Sequence, residues 1–166
     1  IVLILPGSGI SDYDGDLSSN LVGYGYKKQS AKLSAQTANF LETNGLASLR
    51  YTKRVTFGKD GTAHLASFDD MITDAQTAYE WMQTKYPQLK KTIIGFSEGA
   101  LVALHLTTRV ENLDRVFLLG MPTRSLDELF QFQFIDWPLS IANKADLNGD
   151  GTISSYELDF FDGKLT

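Results

Sequence analysis

The 166-residue chain has no cysteine, so neither disulfides nor thiolate chemistry enters. It has only two histidines, His64 and His105, which leaves little choice for proton transfer through an imidazole. No run of eighteen or more apolar residues occurs, so no helix of it is expected to span a membrane. Positive charge is also scarce. Fifteen Lys and Arg against twenty Asp and Glu give a net charge of −5, which argues against a nucleic-acid partner. Internal repeats and low-complexity tracts are lacking too. What is present, 43% hydrophobic and 21% charged residues, suits one globular domain with a real core. Ile1 sits inside an apolar run with no initiator Met and no signal peptide, and both ends read as cut from a longer protein.

Ile1–Leu5 is a short continuous apolar run closed by Pro6-Gly7, the pattern of a strand buried on both faces. Residues 6–26, rich in Gly, Ser, Asp and Tyr, read as a loop. A helix follows with Leu33, Thr37, Phe40 and Leu41 on one face and Gly45 as its stop. Leu46–Tyr51 reads as a second strand, and a loop containing Gly58–Gly61 leads to Ser67. Ser67 with Asp70 three residues on starts a helix through Met71, Ala75, Ala78, Tyr79 and Met82, closed by Pro87. Lys91–Gly95 is a third strand, Glu98–Arg109 a third helix and Arg115–Leu119 a fourth strand. Such alternation predicts an α/β fold, a parallel sheet with helices on both faces, over residues 1–121. Residues 122–166 lose the alternation and read as a helical cap or insertion.

Gly95-Phe96-Ser97-Glu98-Gly99 has the spacing of a nucleophile elbow. The spacing alone is weak, since about one chain in twenty of this length carries it by chance. Its context strengthens it: the strand Thr92–Ile94 precedes it directly and the apolar helix Ala100–Leu104 follows. Reversing the chain in so few residues brings strand and helix together, so side chains at 95 and 99 would collide. The turn lifts the Ser97 hydroxyl to the carboxyl end of the sheet and aims a helix N-terminus at it, suited to a developing oxyanion. Glu98 is expected to give one backbone N–H to that site. Ser8, in Pro6-Gly7-Ser8-Gly9, gives the second, with Gly9 as the alternative.

Three blocks now stand in order: Leu5–Gly9 with Asp12–Gly15, Ala47–Tyr51 with Lys53-Arg54, and Gly95–Gly99. Together they resemble a bacterial group of α/β-hydrolases related to dienelactone hydrolases and prolyl-oligopeptidase-type serine peptidases. The resemblance covers residues 1–120 or so. It implies that Ile1–Leu5 is the third of eight strands, that the chain carries about strands three to six, and that the chemistry is acyl transfer on esters, thioesters or related bonds. It also implies that Asp14, Arg50 and Lys53-Arg54 brace the loops around the site. The family order is serine, acid, histidine. Here only His105 follows Ser97, eight residues along a helix and about 12 Å away by helical rise. His64 lies upstream, in what reads as a loop. The chain therefore has no general base of its own, and the catalytic Asp and His are expected downstream. Asp127 or Asp136 serves as the acid only if the cap folds back over the site.

Residues 146–157 carry the full pattern of an EF-hand loop. Asp146, Asn148 and Asp150 offer side-chain oxygens, Thr152 its carbonyl, Ser154 a direct or water-mediated oxygen, and Glu157 both carboxylate oxygens. Gly151 permits the bend at position six, and Ile153 is placed to pack inward. Pro138–Asn143 reads as the entering helix and Ser155–Phe161 as the leaving one. The loop resembles EF-hand and dockerin-type loops, which implies a structural Ca2+. A lone loop suits the millimolar calcium found outside the cytoplasm, which points to an exported protein. Phe130, Phe132, Phe134 and Trp137 alternate with polar positions and are expected to pack the cap, an acyl pocket being the other use for them.

The function these features predict is a carboxylesterase-like serine hydrolase of small acyl substrates, its cap stabilised by calcium. Two rivals stand beside it. One is a catalytically silent hydrolase fold kept as a calcium-dependent binding module. The other is a prolyl-oligopeptidase-like peptidase, which needs a propeller or another gate outside this chain.

Overall fold

A computed structural model describes residues 1–9, 11–16, 32–57 and 63–162. Residues 1–121 and 122–166 form two compact units. In the first, β1 (Val2–Leu5) pairs in parallel with β2 (Ser48–Leu49) on one side and with β5 (Thr92–Phe96) on the other. β6 (Arg115–Leu119) then adds to β5, giving the all-parallel order β2-β1-β5-β6. Every residue of β1 is buried, because helices cover both faces. Leu3 and Leu5 point to one side, where they pack with Ile93 and with residues of α2 (Phe68–Lys85) and α3 (Glu98–Leu106). Val2 and Ile4 point to the other, against Ala38 and Leu41 of α1 (Leu33–Thr43). The predicted α/β class is the observed one.

The second strand is shorter than Leu46–Tyr51, because only Ser48 and Leu49 find partners, opposite Val2 and Leu3. The buried stripe of α1 is Ser34, Ala38 and Leu41, while Leu33 and Phe40 are exposed. Of the face expected from apolar spacing, only Leu41 is therefore in the core. Small residues at 34 and 38 let the helix lie close to the sheet. Gly45 does end this helix: at φ +73° it donates to the Glu42 carbonyl, and Leu46 N–H reaches back to Leu41.

In α2 the buried set is Ile72, Ala75, Tyr79 and Met82. Ser67 caps it in a reciprocal box with Asp70. The Ser67 hydroxyl, then its N–H, with Arg54 adding a smaller effect, hold the Asp70 carboxyl below its ordinary value of 3.8. A lowered carboxyl stabilises the fold above the ordinary value, and this contribution is lost as pH falls through the lowered one. Asp70→Asn is accordingly expected to lower Tm at pH 7 and to lower it by less at pH 2. Thermal melts at the two pH values check this, and an equal deficit at both would contradict it.

Helix α3 stops at Leu106 rather than Arg109. There the hydroxyls of Thr107 and Thr108 donate to the carbonyls of Leu104 and His105. Between β2 and α2 the expected loop contains an antiparallel hairpin, β3 (Val55–Phe57) with β4 (Ala63–Leu65). The turn read at Gly58–Gly61 lies outside the described residues, as do residue 10 and residues 17–26 of the first loop.

The second unit comprises α4 (Leu126–Gln131), a π-helical turn over Phe132–Asp136, α5 (Trp137–Ala145) and α6 (Ser155–Asp162). The four aromatics at 130–137 pack in pairs, Phe130 with Phe134 and Phe132 with Trp137. They pack on one another within this unit, as expected of them, while all four remain exposed. The apparent alternation belongs to a helix, where residues three or four apart share a face, and the π-helical turn brings Phe132 and Trp137, five apart, together.

Candidate active site

Ser97 stands at the junction of β5 and α3 with φ 51° and ψ −115°, a strained conformation for a residue with a Cβ. The neighbouring glycines account for it. A Cβ on Gly95 would lie 2.3 Å from the Gly99 oxygen and 2.7 Å from the Ala100 Cα. One on Gly99 would lie 2.4 Å from the Pro6 oxygen and 2.5 Å from that of Leu5. Backbone thus meets backbone on both sides of the serine. Ser97 N–H donates to the Leu119 carbonyl at 2.8 Å, tying the elbow to the end of β6, and the side chain is exposed.

The loop after β1 runs beside the elbow. A Cβ on Gly7 would come 3.5 Å from Ser97 Cβ, so Gly7 is a close neighbour of the serine. Among the described residues, no protein acceptor takes the N–H of Ser8 or of Glu98. Both groups are those expected at an oxyanion site, and Glu98 opens the nine-residue α3. Gly9, the alternative donor, is exposed with φ +87°.

Charged side chains hold these loops. Lys53 Nζ donates to the Gly7 carbonyl at 2.6 Å and to Glu98 Oε2 at 2.8 Å. Arg50 pairs with Asp14 at 2.9 Å and lies over the Tyr13 ring. Arg54 pairs with Asp70 and Asp74. Burial first, and the charge of Asp74 second, push the Tyr51 phenol well above its ordinary value, so it stays neutral at any ordinary pH.

His105 is not hydrogen-bonded to Ser97. His105 is exposed on α3, its ring edge-on to Phe68 at 5.3 Å between centroids. His64 lies in β4, opposite Thr56, and not in a loop. Among the described residues no side chain hydrogen-bonds the Ser97 hydroxyl. Asp127 and Asp136 belong to the second unit, where Asp136 accepts from Gln131.

In that unit, α5 and α6 flank the loop at 146–157 as expected of a helix–loop–helix. Gly149 and Gly151 take φ +73° and +78°. Asp146 accepts from the N–H groups of Gly149, Asp150 and Gly151, and Thr152 N–H donates to Asp150 Oδ1. Asn148 bridges to Asp150 Oδ2 at 2.9 Å. Glu157 is buried, accepting from Ser154 through both hydroxyl and N–H and from Leu147 N–H. These bonds, Ser154's foremost, hold its carboxyl below the usual range. Ile153, expected in the core, is half-buried. The donor set, all oxygen with three carboxylates among six residues, fits a hard cation. Its carboxylates are turned to the loop's own N–H groups, and among the described residues no three His, Cys, Asp or Glu side chains gather at metal-holding distance.

Comparison with known proteins agrees with the fold. The family model described as Serine aminopeptidase, S33 matches residues 23–139, more than half of the chain. Esterase EstD of Thermotoga maritima is 26% identical over 132 residues, 80% of this chain and 29% of that protein. RP471 of Rickettsia prowazekii, an uncharacterized protein, is 26% identical over 127 residues, 74% of this chain and 46% of its own length. Among solved structures, the Pyrococcus furiosus esterase Pf2001 is similar at TM-score 0.54 and 23% identity, with 84% of this chain and 50% of that one covered. The chain thus spans half or less of these relatives. No helix among the described residues is long and apolar enough to cross a membrane.

Proposed function

Since this chain belongs to the serine aminopeptidase S33 family of α/β-hydrolases, we propose that it carries the nucleophile of a serine hydrolase acting on ester-type acyl bonds. The observation that carries the reading is the strained Ser97, held between two glycines that tolerate no side chain, at the N-terminus of α3. In this mechanism Ser97 Oγ attacks the acyl carbon while its proton passes to a base. The carbonyl oxygen becomes an oxyanion, received by the N–H groups of Ser8 and Glu98. Collapse expels the alcohol, which takes up the proton, and water then hydrolyses the acyl-enzyme by the same route.

The base is a histidine, oriented by an acid, from residues outside this sequence. The family's chain order supports that placement, and so does the distance of His105 from the serine. A relative named as an esterase favours ester substrates. The family's description favours a second reading, an aminoacyl amide as substrate. Turnover of p-nitrophenyl acetate against that of an aminoacyl p-nitroanilide, by the full-length protein and its Ser97→Ala variant, tests both. Ser97-dependent release from either establishes the hydrolase and its bond class, and release from neither contradicts it.

The proposal extends to calcium, with Asp146, Asn148, Asp150, Thr152, Ser154 and Glu157 as the residues that would hold it. Its contribution there is structural, drawing the loop together between α5 and α6. Calcium at millimolar concentration is expected to raise Tm by a few degrees, as any ligand confined to the folded state does. Glu157→Gln should remove most of that rise, and calorimetry that detects no binding at millimolar calcium contradicts the assignment.

A further inference from the structure

Through its side chain Lys53 hydrogen-bonds both segments that carry the proposed oxyanion donors. Its side chain is only 11% exposed. Its own N–H donates to the Ser11 carbonyl at 3.2 Å, which sets the stem against the loop after β1. Its ammonium then reaches the Gly7 carbonyl on one side and the Glu98 carboxylate on the other.

The Gly7 contact matters because of what it does to the next atom along. The Gly7 carbonyl and the Ser8 N–H belong to the same planar trans peptide, so they point in opposite directions. A cation that grips the carbonyl therefore decides where the N–H points, away from the ammonium. This peptide needs such a restraint. It turns about ψ of Gly7 and φ of Ser8, Gly7 has no Cβ to limit the first of these, and Ser8 and Gly9 are exposed. A rotated peptide would present a carbonyl where the oxyanion needs a donor. The positive charge also polarises the peptide and strengthens its N–H as a donor. Through Glu98 the same ammonium holds the first residue of α3, whose N–H is the other donor.

We propose that Lys53 is a positioning residue for the oxyanion site, fixing the Gly7–Ser8 peptide and tying it to Glu98. The inference rests on the reading of Ser97 as nucleophile. It predicts that Lys53 acts on the transition state and not on substrate binding. In the full-length protein, Lys53→Met should lower kcat for p-nitrophenyl acetate by about tenfold to a hundredfold with KM little changed, somewhat less than the loss of a whole oxyanion donor. Inhibition by phenylboronic acid, which forms a tetrahedral adduct with the serine, should weaken in parallel. Lys53→Arg, which keeps a cationic donor, should recover the larger part of both. If Lys53→Met does not fold, Lys53→Gln carries the comparison. Wild-type kcat and boronate inhibition in a folded variant lacking the ammonium overturn the proposal, as does a loss confined to KM. Turnover that survives Ser97→Ala is a different failure, because it removes the nucleophile reading itself.

Discussion

Ser97→Ala in the full-length protein is expected to lower ester turnover by roughly 10⁴- to 10⁶-fold, with Tm unchanged or slightly raised. The size of the loss follows from the mechanism. Without Oγ no acyl-enzyme forms, and the two N–H groups of Ser8 and Glu98 can only assist attack by water. The effect on stability runs the other way. Ser97 sits at φ 51°, where any Cβ is strained, and its hydroxyl has no hydrogen bond among the described residues whose loss would cost stability. Alanine keeps the strain and sheds nothing the fold needs. Steady-state kinetics and a thermal melt on the same preparation separate the two quantities. A loss below tenfold would mean that the hydrolytic chemistry lies elsewhere.

Gly95→Ala is expected to cost roughly 3 kcal/mol or more, which for a chain of this size is a fall in Tm of about 6–12 °C. The added methyl meets three backbone atoms, the Gly99 oxygen at 2.3 Å and the Gly99 carbonyl carbon and Ala100 Cα at 2.7 Å. A flexible side chain could swing away from such a contact, but the first turn of α3 must move as a body. That displacement carries Glu98 with it, so activity should fall along with stability. Gly45→Ala provides the contrast. Nothing lies within 4 Å of its added methyl, and only the φ of +73° opposes it, for about 1 kcal/mol. Chemical denaturation of the two variants tests the difference, and equal stabilities would mean that the close approach at the elbow is not what restricts position 95.

The parts legible in the sequence are those fixed by neighbours along the chain. The apolar run of β1, the Ser67–Asp70 box and the Gly45 stop are each complete within six residues, and each is observed. The glycine spacing around Ser97 is equally local, and the contacts at 95 and 99 supply its steric reason. What stayed hidden depends on partners far away or on residues that periodicity undervalues. The β3–β4 hairpin is two three-residue strands, too short for alternation to register. The buried face of α1 is made by Ser34 and Ala38, which carry little apolar weight, while Phe40 faces solvent. Lys53 meets Glu98 across 45 residues, and nothing near either position announces the pair. A histidine partner for Ser97 cannot be read from these residues either, since His64 and His105 are the only imidazoles.

The central claim, that Ser97 is an activated nucleophile, is tested most directly by covalent labelling. The full-length protein is treated with a fluorophosphonate, digested, and the modified peptide sequenced by mass spectrometry. The account predicts a single adduct on the peptide containing Gly95–Gly99, at Ser97, and none in the Ser97→Ala variant. Labelling of another serine, or labelling that persists in the alanine variant, would contradict it.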